Sequence, residues 1–362
     1  MKKIGIVSIF RTGNYGGTLQ AYALKKAIDD NGLGNAEIIN YTCDAIRGKI
    51  DVKYLKKAGV LRTAAAVVDK LAYLPRMKKV NAFIEQMVNG KELTREELGA
   101  LNGQYDLFLS GSDQLWNPDI QQGDYYYLQD FVVDPDKKRS YASSFGKKKL
   151  PDAVCSKYKE LLSEYRFISV REQAGADIIQ KLLGYTPEIV VDPVFLLGAR
   201  QWESLLAEPL RKDSYIFAYR LTYSRLLTEV VAAAQKQLNK NVAASPFLLG
   251  YLPHTKKYPA LSSLEWVRAI YDSSYVIADS FHAVAFAIIF SKPFYYVVTT
   301  ATVRERLSRL ETLLQNLGIE DRIVENVAQC DFSKEIDYVR VQERLEGLQE
   351  HAMEVLRMAL QA

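Results

Sequence analysis

Apolar residues along this chain follow two alternating rhythms. Short runs rich in Val, Ile, Phe and Tyr, the composition of buried strands, are separated by segments whose apolar positions recur every three or four residues, the spacing of one helix face. Strand-like runs cover residues 4–10, 37–41, 105–109, 139–143, 167–170 and 188–191, and these six are expected to make a first sheet. An irregular connector leads to Lys212, and a second series follows at 215–219, 242–245, 275–278 and 294–298. Helical spacing covers 18–30, parts of 52–87, 152–165, 173–183, 224–238, 263–272, 281–290 and 304–317. Strands alternating with helices call for parallel sheets with crossover connections, and two such layers leave a cleft at the carboxyl ends of their strands. The tail adds a long helix with Val341, Leu345, Leu348, Ala352, Val355 and Ala359 on one face, which must dock.

Composition narrows the class. With 362 residues, 48% hydrophobic and 25% charged, the chain has the balance of a globular protein large enough for two cores, which excludes fibrous, disordered and small disulfide-stapled classes. Forty-seven basic residues against 43 acidic ones leave +4, too little to advertise a nucleic acid. Cys43, Cys155 and Cys330 are odd in number and far apart, so neither a disulfide framework nor a zinc site is expected, and a reducing cytoplasm is the natural location. Residues 4–10 are too few for a signal-peptide core and read as strand. The longest apolar stretch, 283–290, falls short of the ~18 residues of a membrane span. It reads as a buried helix; peripheral contact with a membrane stays open.

Four segments carry candidate chemistry. Arg11-Thr12-Gly13-Asn14-Tyr15-Gly16-Gly17 joins the first strand to a helix, and its glycines let backbone amides approach an anion or a sugar. It lacks the G-x-G-x-x-G order of a dinucleotide site, and a plain tight turn explains it equally well. Ser110-Gly111-Ser112-Asp113-Gln114-Leu115-Trp116-Asn117-Pro118 follows a strand, so it sits at a carboxyl end. Here Asp113 can accept a proton from a hydroxyl, while Trp116 either stacks on a sugar or belongs to the core. Asp279-Ser280-Phe281-His282-Ala283 places Ser280 as N-cap and His282 in the first turn of an otherwise apolar helix, at the mouth of the cleft. The positive helix end there suits phosphate. His282 is one of three histidines, with His254 and His351.

Arginines make the fourth set. Arg171 and Arg220 each follow a strand, and Arg304, Arg306 and Arg309 lie on the helix after 294–298; of these last three, one at most is expected at the cleft. Guanidiniums converging from several strand ends suit a small substrate with more than one negative group. Asp134-Pro135-Asp136 resembles a metal motif but reads as a solvated turn, and no metal is expected. Tyr15 and Tyr125-Tyr126-Tyr127 are stacking walls or core residues.

Taken in order, these blocks resemble the polysaccharide pyruvyl transferase family. The resemblance runs from Asn14-Tyr15-Gly16-Gly17 and Leu19-Gln20-Ala21-Tyr22-Ala23-Leu24 through Gly111-Ser112-Asp113-Gln114, Ser140-Tyr141-Ala142-Ser143-Ser144-Phe145-Gly146, Ser169-Val170-Arg171-Glu172, Asp192-Pro193 and Asp279-Ser280-Phe281-His282. It ends with Lys292-Pro293-Phe294, Ser308-Arg309, Leu313-Leu314, Leu317-Gly318 and Asp321-Arg322.

The resemblance implies a GT-B-like α/β fold of two Rossmann-like, doubly wound parallel-sheet domains. Residues 1–198 would take the acceptor and 199–332 the donor, and the 333–362 helix can cross back to the first domain. It implies phosphoenolpyruvate as donor, no cofactor, and a pyruvate ketal placed on a glycan or lipid-linked saccharide. His282 and Asp113 then become catalytic candidates. Arg171, Arg309, Ser280, Arg220 and Arg304 become donor-binding candidates, and Asn14, Tyr15, Gly16, Ser112 and Trp116 acceptor-binding ones. Ala283 replaces the family's glycine, and Ser280 stands where some relatives have arginine, so Arg304 or Arg220 would supply the further cation. Two rivals remain: a nucleotide-sugar glycosyltransferase on the same scaffold, and a non-catalytic glycan-binding or assembly protein.

Overall fold

In the computed structural model, residues 1–47, 60–222, 224–245, 255–258 and 260–362 are described. Residues 52–59 of the expected helical segment, and His254, lie outside them. Strand β1 (Lys3–Val7) sits inside a four-stranded sheet with β2 (Asn35–Ile38), β3 (Leu107–Ser110) and β4 (Lys138–Ser140), ordered β2-β1-β3-β4. Its pairings are all parallel, so the carboxyl ends emerge along one edge.

The expected six-strand first sheet is divided. Strands β5 (Ser169–Val170) and β6 (Glu188–Ile189) form a separate parallel pair, tied to the larger sheet by isolated bridges from Arg139 to Phe167 and from Ser143 to Val170. Ala142 takes a left-handed φ of 52°, which interrupts the β4 edge. Serine hydroxyls take over part of the pairing: Ser140 Oγ donates to Ser169 O at 3.1 Å and Ser169 Oγ to Ser140 O at 3.2 Å.

The second sheet is ordered β12 (Ile323–Val324), β11 (Phe294–Val297), β10 (Tyr275–Ala278), β7 (Tyr215–Tyr219), β8 (Asn241–Ser245), β9 (Thr255–Lys257) and is parallel throughout. Strands β7, β8, β10 and β11 match the apolar runs. Sequence pattern misses β9 and β12, since one has no apolar run and the other only two residues.

Helix starts follow their caps. The first helix, Tyr15–Asp30, begins three residues earlier than its apolar spacing suggests because Asn14 Oδ1 accepts from Gly16 N at 3.2 Å. The expected 304–317 helix is two helices, Ala301–Glu305 and Ser308–Leu317, the first capped by Thr300, whose Oγ1 accepts from Val303 N at 3.1 Å. Phe281–Ile289 is buried at every position, as its apolar composition requires.

One core joins both halves. The Tyr15 ring stacks on Trp266 with centroids 5.3 Å apart, its hydroxyl donates to Leu261 O at 3.1 Å, and Tyr22 meets Trp202 at 6.1 Å. The terminal helix, Tyr338–Gln361, returns along the first half: Gln349 Nε2 donates to Phe195 O at 2.7 Å, and Lys2 Nζ donates to Leu360 O at 2.8 Å. The arrangement is the α/β fold of parallel sheets with a long C-terminal helix that the sequence implies, with the first sheet divided. Among the described residues, no helix is long and apolar enough to cross a membrane.

Candidate active site

Strand ends from both halves meet at one place. Asp113 stands in the loop after β3, Arg171 and Glu172 follow β5, Asp192 follows β6, and His282 is in the first turn of the helix after β10. Arg309 comes from the start of the Ser308–Leu317 helix. Carboxyl ends of parallel strands carry the loops in such sheets, which is why side chains so distant in sequence converge.

Arg171, 3% exposed, is the hub. Its Nη1 pairs with Asp192 Oδ2 and donates to Ser112 Oγ at 3.1 Å, while Nη2 lies 3.4 Å from Asp113 Oδ1. Across the junction, Arg309 Nη1 reaches that same Asp113 oxygen at 3.2 Å. Ser112 Oγ donates to Asp192 Oδ2 at 3.0 Å. His282 Nε2 stands 3.5 Å from this Asp192 oxygen and makes no hydrogen bond among the described residues. Two carboxylates therefore span the halves, Asp113 to Arg309 and Asp192 to His282.

Electrostatics sorts the acids. Burial by itself would raise both aspartates, but Arg171 and Arg309 beside Asp113, and Arg171 and His282 beside Asp192, outweigh it and hold both carboxyls below their ordinary range. Both are anions at neutral pH. Burial prevails at Glu172 and lifts its carboxyl despite Arg171 and Arg309. Arg309 is pushed down by burial and then by the like charge of Arg171, whereas Arg171, also penalised by burial, is raised by Asp192 and Asp113.

Geometry at Asp113 and His282 is tightly specified. Asp113 has a left-handed φ of 75°, a conformation that costs a non-glycine residue on the order of 1–3 kcal/mol. Leu115 N and Ser144 N hold it there by donating to its carbonyl at 2.8 and 3.1 Å. The His282 imidazole lies directly on Gly16: a Cβ at that glycine would come within 2.1 Å of Nδ1.

Beside the arginine pair is a small surface pocket, open to solvent and walled by Arg171, Asp192, Phe281, Arg309, Asn316 and His351. Both guanidiniums sit over the Phe281 ring, at 4.9 and 5.8 Å from its centroid. Their buried Nε atoms have no partner among the described residues. Such a wall combines positive charge, partly offset by Asp113 and Asp192, with an apolar floor.

Several candidate residues stand elsewhere or do something else. Trp116 is fully buried, donating from Nε1 to Tyr127 O at 3.2 Å, and cannot stack on a sugar. Tyr15 is a plug between the halves, and Tyr126 and Tyr127 are core. Asn14 is used as a helix cap, Gly16 as the seat of His282, and Ser112 as a partner of Arg171 and Asp192. Arg304 pairs with Glu325 at 2.6 Å and is 60% exposed, outside the cluster. Arg220 follows β7, its backbone N donating to Ser245 O at 3.3 Å, and is not part of the pocket wall. Ser280 occupies the N-cap position without a capping hydrogen bond from its side chain. Nor does His282 stand at an open lip: it is 3% exposed, enclosed between the halves beside Asp192 and Gly16.

Sequence reasoning assigned no role to Asp192 or Glu172. Glu172 lies two residues after β5 and Asp192 three after β6, just behind the strand-end position that singled out Arg171, and that criterion widened to nearby acids would have found both.

Paired guanidiniums, carboxylates and a histidine are thus enclosed between two parallel-sheet halves. The family model described as polysaccharide pyruvyl transferase matches residues 14–301, and the chain belongs to that family of transferases. No curated protein matches the chain. Similar solved structures include a putative UDP-N-acetylglucosamine 2-epimerase from Listeria monocytogenes, 10% identical, covering 99% of this chain and 91% of that one with a TM-score of 0.49. The Neisseria meningitidis UDP-GlcNAc 2-epimerase is also 10% identical, with 99% and 94% covered and a TM-score of 0.45. The glycosyltransferase SnogD from Streptomyces nogalater is 13% identical, with 99% of each chain covered and a TM-score of 0.42. At such scores, what those enzymes bind says nothing of the ligand here.

Proposed function

We propose that the protein moves the enolpyruvyl unit of phosphoenolpyruvate onto a sugar of a surface polysaccharide or its lipid-linked precursor, closing a pyruvate ketal. The observation that carries this reading is the arginine pair: guanidiniums from opposite halves share one carboxylate and wall one pocket, which matches a three-carbon substrate with a phosphate and a carboxylate. Within the cluster, Asp113 and Asp192 already offset Arg171 and Arg309. The donor must therefore take the place of Asp113 at Arg309, and Asp113, held ionised, serves to preset the arginines rather than to abstract a proton.

An acceptor hydroxyl attacking C2 of the enol needs a base, and His282, faced by the Asp192 anion, is that group. As C2 gains its new bond, charge builds on phosphate and carboxylate, where the two guanidiniums stabilise it. The described cysteines are unpaired, in keeping with a cytoplasmic site of action.

Mass spectrometry of glycan intermediates incubated with protein and phosphoenolpyruvate tests the reading. A product heavier by one pyruvate less one water is expected, with turnover reduced ~10²–10⁴-fold in His282→Ala while its fold is kept. Transfer from a sugar nucleotide instead, or near-normal turnover by His282→Ala, would overturn it.

A further inference from the structure

The terminal helix lies beyond residues 14–301, the stretch that the family model matches, yet it supplies part of the wall of the pocket beside Arg171 and Arg309. Leu348 and His351, three residues apart and therefore on one helix face, both line that pocket. The helix is seated there by its neighbours: Gln349 Nε2 donates to Phe195 O at 2.7 Å, and Ala352 and Val355 are fully buried. The backbone of His351 is thereby held in place, and its Nε2 stands 3.4 Å from Oε2 of Glu188 on β6.

The pocket has an inner and an outer side. Asp192, fully buried and facing His282, marks the inner side, where an acceptor hydroxyl would be activated. The side chains of His351 and Glu188 are about half exposed, so His351 marks the side toward solvent. A donor whose C2 is turned to His282 points its phosphate, the part that departs, to that outer side. Phosphate there needs more positive charge or more N–H donors than the arginine pair can spare, because Asp113 and Asp192 already draw on both guanidiniums. Neither cation expected from the sequence fills the place: Arg304 pairs with Glu325 outside the cluster, and Arg220 is not part of the wall. Among the described residues, His351 is the one other basic side chain lining the pocket.

We propose that His351 is a donor-binding residue, which holds the phosphate of phosphoenolpyruvate through an imidazole N–H; the assignment rests on phosphoenolpyruvate being the donor. Phosphate carries more charge than one carboxylate, so a bound donor draws the ring away from Glu188. Glu188 therefore competes with the phosphate for His351 rather than assisting it.

Calorimetric titration of phosphoenolpyruvate into wild type, His351→Ala, His351→Gln and Glu188→Gln, with thermal unfolding of each, tests the assignment. Loss of a hydrogen bond to a charged group should weaken donor binding ~10–100-fold in His351→Ala, while the melting temperature stays near wild type because the side chain is half exposed. His351→Gln keeps an N–H donor and should recover part of that loss. Glu188→Gln removes the competitor and should bind the donor at least as tightly as wild type. Donor affinity in His351→Ala within about threefold of wild type would overturn the assignment. So would an equal loss in Glu188→Gln, which would mean that both variants disturb the docking of the helix rather than a contact with phosphate. If the wild type itself binds no phosphoenolpyruvate, the donor reading fails and this assignment with it; if the wild type binds and His351→Ala binds equally well, only the role of His351 is lost.

Discussion

Gly16→Ala is the sharpest perturbation of the junction. The added methyl carbon would lie 2.1 Å from His282 Nδ1, 2.2 Å from Cγ and 2.6 Å from Cβ, all well inside van der Waals contact. None of these atoms is the free end of a flexible side chain: they are a ring and its root, fixed to a fully buried helix. Either the imidazole leaves its place or the halves separate, breaking the Asp113–Arg309 and Asp192–His282 pairs. Overpacking of this kind costs about 1–3 kcal/mol. For halves of this size that is roughly 2–4 °C in melting temperature per kcal/mol. Turnover should fall further than stability, because the displaced group is the proposed base. Thermal unfolding and phosphate release would be measured in wild type and in a His282→Gly background, where all three clashing atoms are gone. The account expects a large cost of Gly16→Ala in wild type and almost none in His282→Gly, whose own helix penalty cancels in the cycle. Equal costs in the two backgrounds would refute the placement of His282 on Gly16.

Two other expectations follow from the same geometry. Trp116→Phe should lower stability by about 0.5–1.5 kcal/mol, since the buried Tyr127 carbonyl loses its indole donor and keeps only Ser110 Oγ at 3.3 Å, while the acceptor KM stays unchanged; a specific rise in acceptor KM would restore a sugar-facing role to Trp116. Acid should open the junction: the folded pKa values of Asp113 and Asp192 are depressed, so their contribution is present above the ordinary carboxylate range near 4 and is lost as pH falls through the folded values. Glu172 has the opposite sign, contributing below about pH 4 and losing that contribution as pH rises, so Glu172→Gln should flatten the fall in chemically measured stability on the neutral side.

Much of this was legible in the sequence where one local signal decides. Strands β7 and β10 and the helices Gln173–Leu183 and Ser263–Asp272 match their apolar patterns because hydrophobic period and buried face coincide there. Short edge strands such as β9 and β12 carry no such signal, and the division of the first sheet depends on the positive φ of Ala142, which an alanine does not announce. Within the candidate site, strand-end position located Arg171, Asp113 and His282, but composition could not separate a stacking tryptophan from the buried Trp116, nor place Arg304 on the surface. That Gly16 is a seat for an imidazole some 266 residues later in the chain is a tertiary fact that spacing cannot express.

Calorimetric titration of phosphoenolpyruvate into wild type and Arg309→Ala tests the central claim most directly, with a UDP-sugar as the comparison ligand. The account predicts binding of phosphoenolpyruvate to the wild type, at least ~10-fold weaker binding once the charge-assisted contact of Arg309 is removed, and no heat from the UDP-sugar. Tight binding of the UDP-sugar, or phosphoenolpyruvate affinity indifferent to Arg309, would contradict it.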